Sequence, residues 1–186
     1  MSPGVLLLAA GSSRRFGTDK RYARLASGET ILESIIRTLQ EADLPLLVCV
    51  PAGDTRTAEI LRQYRVGSYE CVNSSRGMGA TLAESIGQVT HWEGVLIGLA
   101  DMPYIKVATF TAVAKLLSSD RICVPRYEGE RGHPVGFGRL FFPALAGLSG
   151  DDGARNLLRQ YANRIKYLDV TDAGILRDID RQEDLS

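Results

Sequence analysis

The sequence predicts an α/β domain in which a mostly parallel sheet lies between two layers of helix, three layers in all. Three observations predict it. Short apolar runs alternate with stretches in which apolar residues recur at helical spacing, the pattern of strands joined by right-handed helical crossovers. The first apolar run, Val5-Leu6-Leu7-Leu8, opens directly into a loop with two glycines, two arginines and a lysine over residues 11–20. The chain's 186 residues, 45% hydrophobic and 24% charged, suit one domain over 1–186 with an ordinary core.

Taken in order, residues 5–10 form a first strand. A helix over 30–42 follows, with Ile31, Ile35 and Leu39 on one face, Thr30 as N-cap and Glu33 completing a capping box. Residues 46–50 are a second strand, stopped by Pro51-Ala52-Gly53, and Asp54 caps a helix that runs to residue 64. A third strand (69–72), a helix (78–92), a fourth strand (94–100), a helix (105–117) and a fifth strand (122–125) continue the alternation. Residues 134–137 read as a short extra strand, 140–148 and 154–162 as helices, and 165–170 as the last strand; the tail from Gly174 is polar and acidic. No linker or repeat marks a domain boundary. In open sheets of this kind ligands bind beyond the carboxyl ends of the strands. The loop after the first strand, Asn73, Asp101 and residues 126–133 all fall there.

Composition narrows the function. Lys plus Arg and Asp plus Glu are 22 each, so the formal net charge is zero, which argues against a general nucleic-acid binder. Any cationic site is local, and Arg14, Arg15, Lys20 and Arg21 supply one. Cys49, Cys71 and Cys123 are widely spaced in apolar runs; they read as buried free thiols of a reducing compartment, with neither a disulfide framework nor a metal pattern. The first apolar run lacks a basic lead and is too short for a signal peptide. No stretch approaches the roughly 20 apolar residues of a membrane span. The sequence therefore reads as a cytoplasmic protein without membrane partners.

Four motifs bear on chemistry. The loop after the first strand is neither a Walker A motif nor a dinucleotide fingerprint, because the required glycine and lysine spacings are absent. Its glycines still let backbone N–H groups approach an anion, and its cations suit phosphate oxygens. The plainer reading is a solvated connection. Asp101, in Leu99-Ala100-Asp101-Met102-Pro103, is an acid at the end of a buried strand, a place to hold Mg²⁺; it is equally suited to cap the next helix, with Pro103 in the first turn. Gly132-His133-Pro134 puts an imidazole in a loop, as a substrate contact or, more plainly, as a structural hydrogen-bonder. In the acidic tail, Ile179 between Asp178 and Asp180 suggests a turn docked by one apolar anchor, with a carboxylate turned back to the site.

Together these segments resemble the molybdopterin-cofactor nucleotidyltransferases, especially the molybdenum cofactor cytidylyltransferase branch. The family's opening Ala-Ala-Gly-x-Ser-x-Arg-Met-Gly-x-x-Lys appears as Ala9-Ala10-Gly11-Ser12-Ser13-Arg14-Arg15-Phe16-Gly17-Thr18-Asp19-Lys20, with Phe16 in place of Met. The segments Asn73-Ser74-Ser75-Arg76-Gly77-Met78-Gly79-Ala80-Thr81-Leu82, Asp101-Met102-Pro103, Gly132-His133-Pro134, Gly150-Asp151-Asp152-Gly153-Ala154-Arg155 and Asp178-Ile179-Asp180 follow in family order, although the usual Thr-Pro after the last is Arg181-Gln182 here.

The resemblance implies a Rossmann-like fold of the nucleotide-diphospho-sugar transferase type. It implies that the molybdopterin phosphate attacks the α-phosphate of CTP, releasing pyrophosphate. Arg15, Lys20 and Asp101 become the catalytic group, and Asp101 and Asp180 the ligands of Mg²⁺ (or Mn²⁺). Leu8, Ala9, Ala10, Gly11, Ser13, Arg15, Lys20, Asn73, Gly77 and Asp101 become nucleotide contacts. Gly132, His133 and Pro134 lie toward the pterin. A molybdoenzyme of the xanthine-dehydrogenase type is the implied recipient of the product. The guanylyl branch usually has Ala-Gly-Gly where this chain has Ala9-Ala10-Gly11, so a Cβ at position 10 favours the smaller pyrimidine over GTP. The competing expectations are GTP on the same cofactor, a sugar-phosphate or alcohol-phosphate acceptor, and a carrier of finished cofactor without chemistry. The intact first loop and Asp101 favour an enzyme.

Overall fold

A computed structural model describes residues 2–11, 16–17, 19–151 and 153–185. Its centre is β1 (Gly4–Leu8), paired in parallel with β2 (Leu46–Pro51) on one side and β4 (Gly94–Leu99) on the other. β3 (Gly67–Cys71) adds to β2 in parallel and forms one edge. Beyond β4 the order is less simple. β7 (Val135–Gly138) inserts antiparallel between β4 and β5 (Ile122–Tyr127), and β8 (Ile165–Asp169) pairs with β5 in parallel. β6 (Glu130–Arg131) returns from β5 through the two-residue turn Glu128-Gly129, both at positive φ (50° and 86°), which is the twist a tight hairpin needs. Only β6 and β7 run against the other strands, so the sheet is mixed but mostly parallel.

The two faces of β1 separate two cores. Val5, Leu7 and Ala9 point to one, against α1 (Ile31–Glu41), α2 (Thr55–Gln63) and α4 (Val107–Leu116). Leu6 and Leu8 point to the other, against α3 (Met78–Ile86), α5 (Phe142–Ala146) and α6 (Arg155–Gln160). This is the period of two of a strand buried on both sides. α1 forms as its pattern predicts. Thr30 accepts from the Glu33 N–H, Glu33 accepts from the Thr30 N–H, and Ile31, Leu32, Ile35, Ile36 and Leu39 are all buried, each contributing about 1.5–3 kcal/mol. Asp54 caps α2 through the Thr57 N–H.

Several predicted elements shift. The helix expected over 78–92 stops at Ile86 and continues as a 3-10 turn over Gly87–Val89. α4 begins at Val107 rather than 105, and the hairpin strand β6 has no counterpart in the sequence reading. Cys49, Cys71 and Cys123 are free and buried. Among the described residues no helix is long and apolar enough to cross a membrane.

Candidate active site

The chain leaves β1 toward the face of α1 and reaches β4 from the face of α3, so the sheet's connections diverge between these two central strands. That is where an α/β sheet opens a crevice at its carboxyl edge. The ladder continues one step past each strand, through Ala9 N–H to the Cys49 carbonyl (2.9 Å) and Ala100 N–H to the Leu8 carbonyl (3.1 Å). Ala10, Gly11 and Asp101 are therefore held at the rim by backbone bonds that do not depend on side-chain identity.

A cleft of about 660 Å³ lies there, within the size range of small-molecule sites. Leu8, Ala10 and Gly11 at the end of β1, Leu99 and Asp101 at the end of β4, and Ser74–Gly77 with Met78 and Thr81 at the start of α3 line it; Pro51 and Asp151 complete the lining. Gly77 sits at φ 108°, and a Cβ there would collide with Asp151 Oδ1 and lie 2.6 Å from the Gly150 carbonyl. The next glycine, Gly79, donates to the same Gly150 carbonyl at 2.8 Å. The loop before α6 is thus clamped onto the start of α3, and it brings Asp151 into the cleft wall. Arg76, Met78, Thr81 and Asp151 are wall residues that the sequence reading did not single out, although each lies inside a motif it quotes.

Beside the cleft, Ala9, Gly11, Lys20, Arg21 and Asp101 surround a smaller recess. Lys20 Nζ donates to Asp101 Oδ2 at 2.8 Å, to the Ile179 carbonyl at 2.8 Å and to Asp180 Oδ1 at 3.1 Å. Burial works against the ammonium charge, but the two carboxylates outweigh it and raise the Lys20 pKa. Asp101 does not cap α4. Asp172, from the tail, does so by accepting from Lys106 N–H (2.8 Å) and Thr109 Oγ1 (2.6 Å). Asp101 instead keeps one buried oxygen, Oδ1, with no hydrogen-bond partner among the described residues. An orphaned carboxylate oxygen next to a second carboxylate is a donor set that fits a small, hard cation, which takes one or two carboxylates and fills its other positions with water and phosphate.

The tail reaches the site through backbone. Ile179 N–H donates to the Asp101 carbonyl at 2.9 Å, while its side chain is fully buried with Phe16, Leu25 and Ile31. Arg21 is structural rather than free for phosphate. It holds the Ala9 carbonyl (2.8 Å), Asp19 (2.6 Å) and Asp54 (2.7 Å), fixing the end of the first loop against the cap of α2.

The remaining predicted residues fall unevenly. Ser13 and Arg15 lie outside the described residues. Asn73 adjoins the cleft wall but turns its amide to Glu84 (3.3 Å). Burial disfavours the Glu84 charge, yet N–H bonds from Asn73 and Val72 prevail and lower its pKa. Gly132 and Pro134 are buried, and a Cβ on Gly132 would strike the Ile175 carbonyl. The half-buried His133 ring lies 3.4 Å from the Ile97 carbonyl and does not line the cleft. Burial lowers its pKa, against the opposing pull of Ile97, Asp101 and Asp178.

Residues 5–165 match the family model described as the MobA-like NTP transferase domain. The purine catabolism protein PucB of Bacillus subtilis is 30% identical over 96% of this chain and 92% of its own length. Nicotine blue oxidoreductase of Paenarthrobacter nicotinovorans is 29% identical over 97% of this chain and 93% of its own. The probable molybdenum cofactor guanylyltransferase of Opitutus terrae is 29% identical over 65% of this chain and 58% of its own. Among solved structures, Rv0371c of Mycobacterium tuberculosis superposes with a TM-score of 0.83 at 27% identity, over 99% of this chain and 96% of that one. With the crevice at the β1–β4 divergence, these likenesses place the chain in the MobA-like nucleotidyltransferase family of the molybdenum cofactor.

Proposed function

We propose that the protein transfers the CMP moiety of CTP to the phosphate of molybdopterin. The acceptor phosphate oxygen forms a bond to the α-phosphorus, the bond from that phosphorus to the β-phosphate oxygen breaks, and pyrophosphate leaves with the electron pair. The nucleophile is already ionised, so the protein need not supply a strong base; alignment and charge neutralisation suffice. Ala10 and Gly11 N–H groups line the nucleotide, and Lys20, with Arg15, holds the triphosphate and then the departing pyrophosphate. Asp101 and Asp180 would hold Mg²⁺ or Mn²⁺, which would supply positive charge against the phosphate charge that develops as the bond to pyrophosphate breaks. His133 lies on the acceptor side.

The observation that carries this reading is the arrangement at the crevice. Ala10, Gly11 and Asp101 line the cleft, and Lys20, in the adjoining recess, lies 2.8 Å from Asp101 and 3.1 Å from Asp180. The Cβ of Ala10 in that lining supports the smaller base. The name of the Opitutus terrae relative favours GTP as the second reading.

Thermal unfolding with CTP, GTP, ATP and UTP, each with and without Mg²⁺, separates the two. A ligand at 100 times its Kd adds about 2.7 kcal/mol. A Mg²⁺-dependent shift with CTP, followed by pyrophosphate release when molybdopterin is added, is expected. A larger shift with GTP overturns the cytidylyl assignment. No shift with any nucleotide overturns transfer itself and leaves a cofactor carrier.

A further inference from the structure

We propose that Lys20 is the resident stand-in for the divalent cation: metal and ammonium compete for the same acids, and the nucleotide's phosphates favour the metal by drawing Lys20 away. The inference rests on Asp101 and Asp180 being the metal ligands. Among the described residues three oxygens accept from the Lys20 ammonium: Asp101 Oδ2 at 2.8 Å, the Ile179 carbonyl at 2.8 Å and Asp180 Oδ1 at 3.1 Å. These are hard oxygen donors of the kind Mg²⁺ and Mn²⁺ select. Both carboxylate side chains are partly shielded, at 25% and 38% exposure, so the site is favourable to whichever cation fills it. A metal ion bonds carboxylate oxygens at about 2.0–2.1 Å, and held on Asp101 and Asp180 it would stand against the positive charge of Lys20, so the two cations compete for the pair of acids.

Lys20 therefore has two positions. In the first it neutralises Asp101 and Asp180 and holds the tail through Ile179. In the second it meets phosphate, and the carboxylates pass to the metal. Metal and nucleotide each make the other's binding easier, and by reciprocity the coupling is the same whichever arrives first. The sign is diagnostic. If Lys20 only buttressed the carboxylates, removing it would weaken metal binding. As a stand-in, its removal strengthens metal binding and erases much of the coupling to nucleotide.

The test uses the full chain without nucleotide and Mn²⁺ alone as probe, with bound ion counted by electron paramagnetic resonance. Lys20→Met is expected to bind Mn²⁺ about tenfold more tightly or better, within the usual range for two coupled ligands. Adding Asp180→Asn to that variant should remove the gain. Acetylation of the wild-type protein, read by peptide mass spectrometry, separates exchange from a general loss of positive charge. Lys20 should become more reactive when Mn²⁺ binds and be protected again by inorganic tripolyphosphate. Equal or weaker Mn²⁺ binding in Lys20→Met, no Mn²⁺ binding in either protein, or unchanged Lys20 labelling overturns the proposal. If Lys20→Met does not fold, the wild-type labelling decides. Neither readout involves transfer, so a wrong base or acceptor leaves them standing, and their failure leaves the transfer assay standing.

Discussion

The first loop and the C-terminal tail meet at the same acid, yet they are built on opposite principles. The loop, from Ala9 to Arg21, is dense in motif residues, and its described end is held by charge: Arg21 clamps Ala9, Asp19 and Asp54, and Lys20 joins Asp101. The tail has few chemical markers and lies beyond residue 165, where the family match ends. It is held largely by main chain and by apolar contact, with the ion pair from Asp180 to Lys20 added. His133 N–H donates to the Ile175 carbonyl, Ile179 N–H to the Asp101 carbonyl, and Ile179 itself is buried. The contrast teaches that a site can be half specified by charged side chains and half by backbone bonds and apolar burial, which residue types alone do not spell out. Both halves reach Lys20, one covalently and the other through the Ile179 carbonyl and Asp180.

The sharpest way to break the contrast is Ile179→Ala. If the tail belongs to the cooperative fold, losing a fully buried isoleucine costs about 2–5 kcal/mol, seen as a lower urea midpoint, with activity falling in parallel. An unchanged midpoint with lost activity would make the tail a detachable strap instead. Lys20→Ala is the counterpart on the loop side. Turnover should fall by about 10²–10³, the usual loss for one preorganised charge donor, while the fold persists. Unchanged turnover, measured with the nucleotide the stabilisation panel selects, would remove Lys20 from the mechanism.

Asp172→Ala probes how the tail is moored further back. This buried acid accepts from Lys106 N–H, Thr109 Oγ1 and Gly174 N–H, so it caps α4 from outside the helix. Each donor left unsatisfied costs about 1–3 kcal/mol unless water reaches it. The urea midpoint should fall with little change in nucleotide-induced stabilisation. A loss of nucleotide binding at unchanged stability would instead tie Asp172 to the site.

What the sequence made legible follows the same division. The capping box at Thr30 and Glu33, the Asp54 cap and the alternation of apolar runs are local signals, and local structure obeys them. The insertion of β7 between β4 and β5 is not local: a short strand has no sequence mark for which edge it pairs with. The β6 turn was hidden because Glu128, not Asn or Asp, takes its positive φ. At the site, Asp101 was ambiguous between ligand and cap because both roles suit an acid after a strand. The cap reading falls only when Asp172, 71 positions further along the chain (172 minus 101), is seen to bond the start of α4 in its place. Arg21 looked like one more phosphate cation, and only its three carboxylate and carbonyl partners reveal a clamp.

The smallest expected effect tests the place where the tail and the Gly132-His133-Pro134 segment touch. Burial lowers the His133 pKa below the ordinary histidine value of about 6.5, with Ile97, Asp101 and Asp178 pulling the other way. The unfolded chain then takes up a proton before the folded one as pH falls. The His133 contribution is complete above the ordinary value and is lost as pH drops from there through the lowered one. Urea unfolding from about pH 8 to about pH 5 should show wild-type stability declining more steeply than that of His133→Gln. Parallel curves would mean that water reaches the ring as freely as it does in the unfolded chain. A steeper decline in the variant would reverse the sign and give His133 a charge-stabilising contact with Asp178 or Asp101, joining the tail to the His133 segment by charge as well as by backbone.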